Sequence, residues 1–375
     1  LPGETVEVQA VSATSGVAVA ILAPSPDRVE PPCPHFGTCG GCALQHWRAE
    51  AYLAWKSGLL PSQPEVIAGQ PGTRRRVDLA LRRTAAGVAV GLHARRSGAV
   101  VDLRACHVLH PDLVVLLAPL RRLIGRLQGF RREGSAILNL LDSGPDLLLR
   151  TDAALTAADR SALASFAATH GLPRISHGVG KGRHETACQL RPAVTRLSGV
   201  EVFPPPGAFL QATRESEAAI IAAVLAGLPD KRTRKIVIAE LFAGCGTLTF
   251  ALAPQVRVHA WEGDPGTAES LADAARRAGR VTAKQRDLER QPLQAAELAA
   301  YPAVVLDPPW AGAAAQIAEI ARARVPRVIY VSCNPVSLAR DAAVLQSAGY
   351  RVDRETAIDQ FLWSARLEAV AVFSL

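Results

Sequence analysis

The stretch Arg327-Val328-Ile329-Tyr330-Val331-Ser332-Cys333-Asn334-Pro335-Val336-Ser337-Leu338-Ala339-Arg340-Asp341 decides the fold. Its first half is an apolar, β-branched run of the kind that forms a buried strand. The run stops at Ser332-Cys333-Asn334-Pro335, and a helical pattern follows. A strand that enters a helix through a polar turn is the unit of an open α/β sheet, and such sheets bind ligands outside the carboxyl ends of their strands. Cys333 falls at that edge. A thiol presented there can act as a nucleophile, and a buried structural cysteine is the plainer alternative.

Two further strand ends upstream carry polar chemistry. Val304-Val305-Leu306-Asp307-Pro308-Pro309-Trp310 ends in an acidic, Pro-rich turn, and Glu240-Leu241-Phe242-Ala243-Gly244-Cys245-Gly246-Thr247 opens into a Gly-rich loop. From residue 235 the pattern is strictly βαβα, with strands expected at 235–241, 257–262, 280–286, 303–307, 327–332 and 350–354 and a last, antiparallel one at 367–373. That is a doubly wound, Rossmann-like α/β sheet. Gly244 and Gly246 let backbone approach a ligand closely. The loop is not the dinucleotide fingerprint, because Leu248 and Thr249 stand where its third Gly belongs. Trp261-Glu262-Gly263-Asp264 puts a carboxylate where a ribose presents its hydroxyls, and Asp287 after the third strand suits an adenine amino group. Together these features fit S-adenosylmethionine better than NAD.

The rest of the chain divides at Pro204-Pro205-Pro206-Gly207. Residues 204–375 form the sheet domain just described. Residues 26–203 read as a mixed α/β segment, with a helix at 44–60, a hairpin around Ala85-Ala86-Gly87 and an amphipathic helix at 111–127. Residues 1–25 supply two strands, which read as the tail of a small β-barrel. In the stretch Pro31-Pro32-Cys33-Pro34-His35-Phe36-Gly37-Thr38-Cys39-Gly40-Gly41-Cys42, three cysteines share one loop, and Cys106 is a fourth candidate on a later one. Four thiolates suit a [4Fe–4S] cluster or a structural zinc.

Composition narrows the setting. The chain has 375 residues and 49% hydrophobic content, enough to bury a core. It shows no apolar run of membrane-spanning length and no signal peptide. Met is absent throughout, so the chain need not be a whole gene product. Seven unevenly spaced cysteines read as reduced thiols or metal ligands in a cytoplasmic protein. Net charge is +8, and between Arg74 and Arg132 thirteen Arg face three acids, so the remainder is close to neutral. An Arg-only excess of this size is the footprint of phosphate contacts and favours RNA as partner. No obligatory protein partner is evident.

Taken together, these motifs resemble the RNA uracil-5-methyltransferases. The matching residues are Gly207-Ala208-Phe209-Leu210-Gln211, the 240–246 loop, Asp307-Pro308-Pro309, Ser332-Cys333-Asn334-Pro335 with Leu338-Ala339-Arg340-Asp341, and Glu368. The cysteine loop with Cys106 is similar to the iron–sulfur site of that family's bacterial 23S rRNA branch, and the opening strands to its TRAM barrel. The resemblance implies Cys333 as nucleophile and Glu368 as general base. It implies Gln211, Phe242, Gly244, Gly246, Glu262, Asp287 and Asp307 around S-adenosylmethionine, and Cys33, Cys39, Cys42 and Cys106 on the cluster. The expected substrate is a uridine of 23S rRNA, with tRNA as the alternative. A more distant one is an exocyclic-amino methyltransferase using the Asp307-Pro308-Pro309-Trp310 turn, which needs no cysteine. Trp310 stands where the family often has Arg, Thr247 where some members have Asn, and Arg366 where a His is usual.

Overall fold

A computed structural model describes residues 1–12, 14–230 and 235–375. The C-terminal sheet is built from β1 (Val237–Leu241), β2 (Arg257–Glu262), β3 (Val281–Gln285), β4 (Ala303–Leu306), β5 (Arg327–Ser332), β6 (Arg351–Ile358) and β7 (Glu368–Ser374). Their spatial order is β3-β2-β1-β4-β5-β7-β6. The first five run parallel, and β7 lies antiparallel between β5 and β6. The chain reverses direction across the sheet at β1 and β4, so their carboxyl ends open a crevice.

Strand periodicity builds the two layers. Ile238, Val258, Val305, Ile329, Val331, Val370 and Val372 point to one face, where the helices Arg214–Gly227, Thr247–Leu252 and Pro265–Ala278 pack. Ala239, Leu241, Val304, Leu306, Val328, Tyr330 and Phe373 point to the other, covered by Ala314–Ala323 and Pro335–Ser347. Burial on both faces explains why these strands read as near-continuous apolar runs.

An early segment joins this sheet. Val66–Ile67 pairs parallel with β6 at its outer edge, and Leu53, Leu60 and Val66 pack into the second layer. The pairing ties residues near position 60 to the last third of the chain.

The central part holds a second sheet of seven strands. In spatial order these are His184–Gln189, Arg174–Val179, Gly144–Thr151, Glu133–Leu141, Arg76–Thr84, Gly87–His93 and Val100–Asp102. Its core is rich in Leu and is covered by Leu117–Arg126 and Ala157–His170. The amphipathic helix expected over 111–127 forms as two pieces, Pro111–Val114 and Leu117–Arg126.

Two expectations for the N-terminal half are corrected. Thr5–Ser12 and Ser15–Ala23 pair only with each other, and their side chains are almost all exposed. Among the described residues there is an open hairpin here and no closed barrel; two strands cannot curl round a core of their own. Among the described residues the fold class therefore stands as a Rossmann-like α/β sheet with a mixed α/β neighbour, without a partial TRAM barrel and, since no group of three or more His, Cys, Asp or Glu is placed to hold a metal, without an iron–sulfur domain. Among the described residues, no helix is long and apolar enough to cross a membrane.

Candidate active site

The site forms where β1, β4, β5 and β7 present their ends. The β5–β7 register pairs Ser332 with Ala369, which brings Cys333 beside Glu368. Asn334 caps the following helix, its side chain accepting from the Val336 amide, and Pro335 occupies the first turn. Its Nδ2 donates to the Trp310 carbonyl at 3.0 Å, joining the turn after β5 to the one after β4. Cys333 is half-buried, and its thiol is pushed up to about 11. Burial is the main cause, followed by the charges of Glu368 and Asp307, while Arg366 acts in the opposite direction.

The carboxylates are held by amides rather than by cations. Gln211 Nε2 donates to Asp307 Oδ2 at 3.0 Å, and Gln360 Nε2 donates to Glu368 Oε2 at 2.7 Å. Desolvation pushes the Asp307 carboxyl up to about 7. Glu368 is raised well above the usual carboxylate range by burial and then by the negative charge of Asp307. Glu240, 1% exposed on β1, is pushed up to about 8 by the same loss of solvent.

The loop after β1 makes a cradle. Phe242 adopts φ +61°, a left-handed conformation that a residue with a side chain adopts at a cost of order 1–3 kcal/mol. Gly246 starts the next helix at φ +100°, and a Cβ there would lie 2.4 Å from the Phe250 ring. The Gly244 amide donates to Glu262 Oε2 at 2.8 Å, and the Asp264 amide to Glu262 Oε1 at 2.8 Å. Glu262 thereby ties the ends of β1 and β2 together. Asp287 lies exposed past β3 and accepts from the Glu289 amide at 3.1 Å.

This arrangement fits S-adenosylmethionine. Gln211 is 3% exposed, and its Oε1 is a buried acceptor without a partner beside Asp307. A cationic ligand that donates hydrogen bonds would satisfy both groups. On the open side of Gly244, no heavy atom lies within 4 Å of where a Cβ would stand, which leaves room at the loop.

The 207–212 segment is held by the central sheet. Asn139 Nδ2 donates to the Ala208 carbonyl at 2.9 Å. Arg75 donates from its main chain to the Ala212 carbonyl at 2.8 Å and from Nε to the Gln211 carbonyl at 3.0 Å, and it pairs with Glu217. Arg75 is 2% exposed, so this member of the basic segment serves the site's frame and not an RNA-facing surface.

Two residues that differ from the family pattern touch each other. The Arg366 guanidinium lies over the Trp310 ring, 4.9 Å from its centre. Gln360 had no motif to mark it. The only hint in the sequence is a polar Asp359-Gln360 pair directly after a strand.

The expected metal centre is corrected. Cys33, Cys39, Cys42 and Cys106 do line one cavity of about 360 Å³. Yet among the described residues no group of three or more His, Cys, Asp or Glu is placed to hold a metal ion. The four are free thiols. Burial pushes Cys42 up to about 11, and the Cys39 sulfur accepts from the Gly41 amide at 3.4 Å. The thiols share a cavity without forming a metal-holding group among the described residues, so neither the [4Fe–4S] cluster nor zinc is retained as a cofactor.

A family model described as tRNA (Uracil-5-)-methyltransferase matches residues 268–374. An uncharacterized RNA methyltransferase of Rhizobium meliloti (strain 1021) is 40% identical over 390 residues, covering 99% of this chain and 92% of the relative. The 23S rRNA (uracil(1939)-C(5))-methyltransferase of Chromohalobacter salexigens is 35% identical over 401 residues, covering 100% of this chain and 83% of the relative. Among solved structures, the tRNA (uracil-54, C5)-methyltransferase of Pyrococcus abyssi, in complex with S-adenosyl-L-homocysteine, superposes with a TM-score of 0.76 at 21% identity, covering 100% of this chain and 93% of that one. This last likeness bears on the fold.

Proposed function

Because the chain belongs to the RNA uracil-5-methyltransferases, enzymes that use S-adenosylmethionine to methylate C5 of uracil in RNA, we propose that Cys333 is its nucleophile and Glu368 its general base. The observation that carries this reading is the meeting of one thiol and one buried carboxylate at neighbouring strand ends.

The chemistry requires both groups. C5 of uracil is a weak nucleophile. Addition of Cys333 at C6 as its thiolate, the S–H proton having been given up first, turns the ring into an enolate, so that C5 can take a methyl group. Bound S-adenosylmethionine supplies that methyl as an electrophile. Gln211, Phe242, Gly244, Gly246, Glu262, Asp287 and Asp307 would hold it, with the Gln211 Oε1 and Asp307 pair at its cationic end. Glu368 then removes the C5 proton, and Cys333 departs. The uridine must leave its stack to reach Cys333. The exposed arginines between Arg74 and Arg132 hold the phosphates, and the exposed Trp310 face offers a stacking surface beside the entrance.

For the RNA, the description of the matched family model supports a tRNA uridine. The preference for 23S rRNA drawn from the sequence is the second reading, and the Chromohalobacter relative favours it. RNA carrying 5-fluorouracil tests the mechanism, since fluorine cannot leave as a proton. The expected result is a denaturation-resistant RNA–protein adduct that Cys333→Ala abolishes. Methyl transfer that survives Cys333→Ala overturns it and favours an amino-group target. Running the trap on tRNA and on 23S rRNA fragments decides between the RNA classes.

A further inference from the structure

The adjacent residues Gln211 and Ala212 reach both carboxylates of the site, the first directly and the second through Gln360. The Gln211 side chain donates to Asp307, while the Ala212 amide donates to Gln360 Oε1 at 3.1 Å. A main-chain N–H can only donate, so the atom of Gln360 that faces it must be the carbonyl oxygen. This fixes the orientation of the Gln360 amide and turns its NH2 group towards Glu368 Oε2, 2.7 Å away. Gln360 is 3% exposed and Glu368 2%, so water does not compete for either contact.

Both ends of this arrangement are anchored. Arg75 grips the carbonyls of Gln211 and Ala212 from the central sheet. On the other side, Asp359 is held by the buried Lys56 ammonium and by the Tyr52 hydroxyl at 3.0 Å. Gln360 therefore sits between two fixed points and has both amide ends in use.

We propose that Gln360 is a positioning residue for the reaction, fixing which oxygen of Glu368 is free to take the C5 proton. This rests on the assignment of Glu368 as base. Gln360 occupies Oε2 and leaves Oε1 for the substrate. In the release step the Glu368 carboxylate takes the proton from C5. The C–H electron pair becomes the C5–C6 double bond, the C6–S bond breaks, and Cys333 leaves as thiolate. Gln360 exchanges no proton; its donated hydrogen bond favours the ionised carboxylate that the step needs. Thiolate addition and methyl transfer precede this step and do not use Gln360. Its loss should therefore stall the enzyme after methylation.

The test uses the full chain, ordinary uridine RNA and labelled S-adenosylmethionine. Gln360→Glu keeps the side-chain shape and the acceptor facing Ala212 but loses the amide donor. Gln360→Met removes both hydrogen bonds. Each should lower kcat by about 10²-fold, the loss expected when a reacting group is misplaced. Each should also accumulate a methylated, denaturation-resistant adduct on ordinary uridine RNA, with trapping on 5-fluorouracil RNA within about twofold of the parent. The charged and titratable groups facing Glu368 are Asp307 and Cys333, with Arg366 beside Cys333. In Gln360→Met, which adds no titratable group, loss of the amide donor should move the acidic limb of the turnover profile to higher pH. Unchanged turnover in both variants overturns the proposal, as does a parallel fall of trapping and turnover in Gln360→Glu, which marks a merely structural role. Glu368→Gln run alongside separates the two assignments: if it turns over without accumulating adduct, the base assignment fails, whatever Gln360 does.

Discussion

Lys56–Asp359 and Arg75–Glu217 are ion pairs buried behind the site, whereas Glu240, Asp307 and Glu368 line its strand ends with no salt bridge among the described residues. The first set holds distant parts of the chain together. Lys56 comes from an early helix and Asp359 from the segment after β6, while Arg75 leads into the central sheet and Glu217 lies on the helix before β1. The second set has no cation paired with it among the described residues, and its carboxyl groups are all raised. A charge paired in the folded state belongs to the frame. A carboxylate kept from solvent without a cation is poised for a proton or a positively charged ligand.

That contrast can be broken by substitution. Lys56→Met should cost about 3–5 kcal/mol in chemical denaturation, because it leaves the Asp359 carboxylate buried without its cation, with only the Tyr52 hydroxyl donating to it. Asp307→Asn should keep stability within about 1 kcal/mol of the parent while abolishing methyl transfer, since it removes a charge that nothing in the fold neutralises. If Asp307→Asn proves as destabilising as Lys56→Met, the division between frame and site does not hold.

A smaller effect sharpens the comparison through pH. The fold raises Glu240 from 4.5 to about 8, so the folded state binds its proton more tightly than the unfolded chain does. The stabilisation is complete below pH about 4.5 and is lost as pH rises through about 8. Unfolding free energy measured across that window should therefore decline with pH, and Glu240→Gln should flatten the decline. An unchanged slope in the variant would assign the effect elsewhere.

The smallest expected change lies on the exposed arginines. Arg95→Gln with Arg96→Gln should weaken RNA binding across sequences. It should also reduce the salt dependence, by about 0.7–0.9 in the log–log slope for each phosphate that is no longer neutralised. Buried Arg75 belongs to the other class: Arg75→Gln should destabilise the protein instead of merely loosening RNA.

The sequence made the sheet's carboxyl edge legible for a physical reason. A parallel sheet places every strand's carboxyl end on one side, so Glu240, Asp307 and Cys333 had to converge once their strands were recognised. The cysteine loop offered no such rule. Its spacing indicates that three thiols are near one another along the chain, but whether they point at one centre depends on how the loop packs against Cys106 and its neighbours. The two opening strands failed in a similar way, since alternating residues reveal a strand and not how many partners it has.

Local pattern alone determined the α/β alternation, the strand ends that carry chemistry, the Gly cradle and the arginine-rich middle. Each depends on neighbours within about ten residues, where backbone preference and periodicity dominate. Only the tertiary structure decided that Val66–Ile67 would extend the last sheet, that Arg75 would be buried, and that Ala212 and Glu368 would share Gln360. The bonds from Ala212 to Gln360 and from Arg75 to Glu217 join residues 148 and 142 positions apart, and no local preference encodes a hydrogen bond that exists only after distant parts of the chain have packed together.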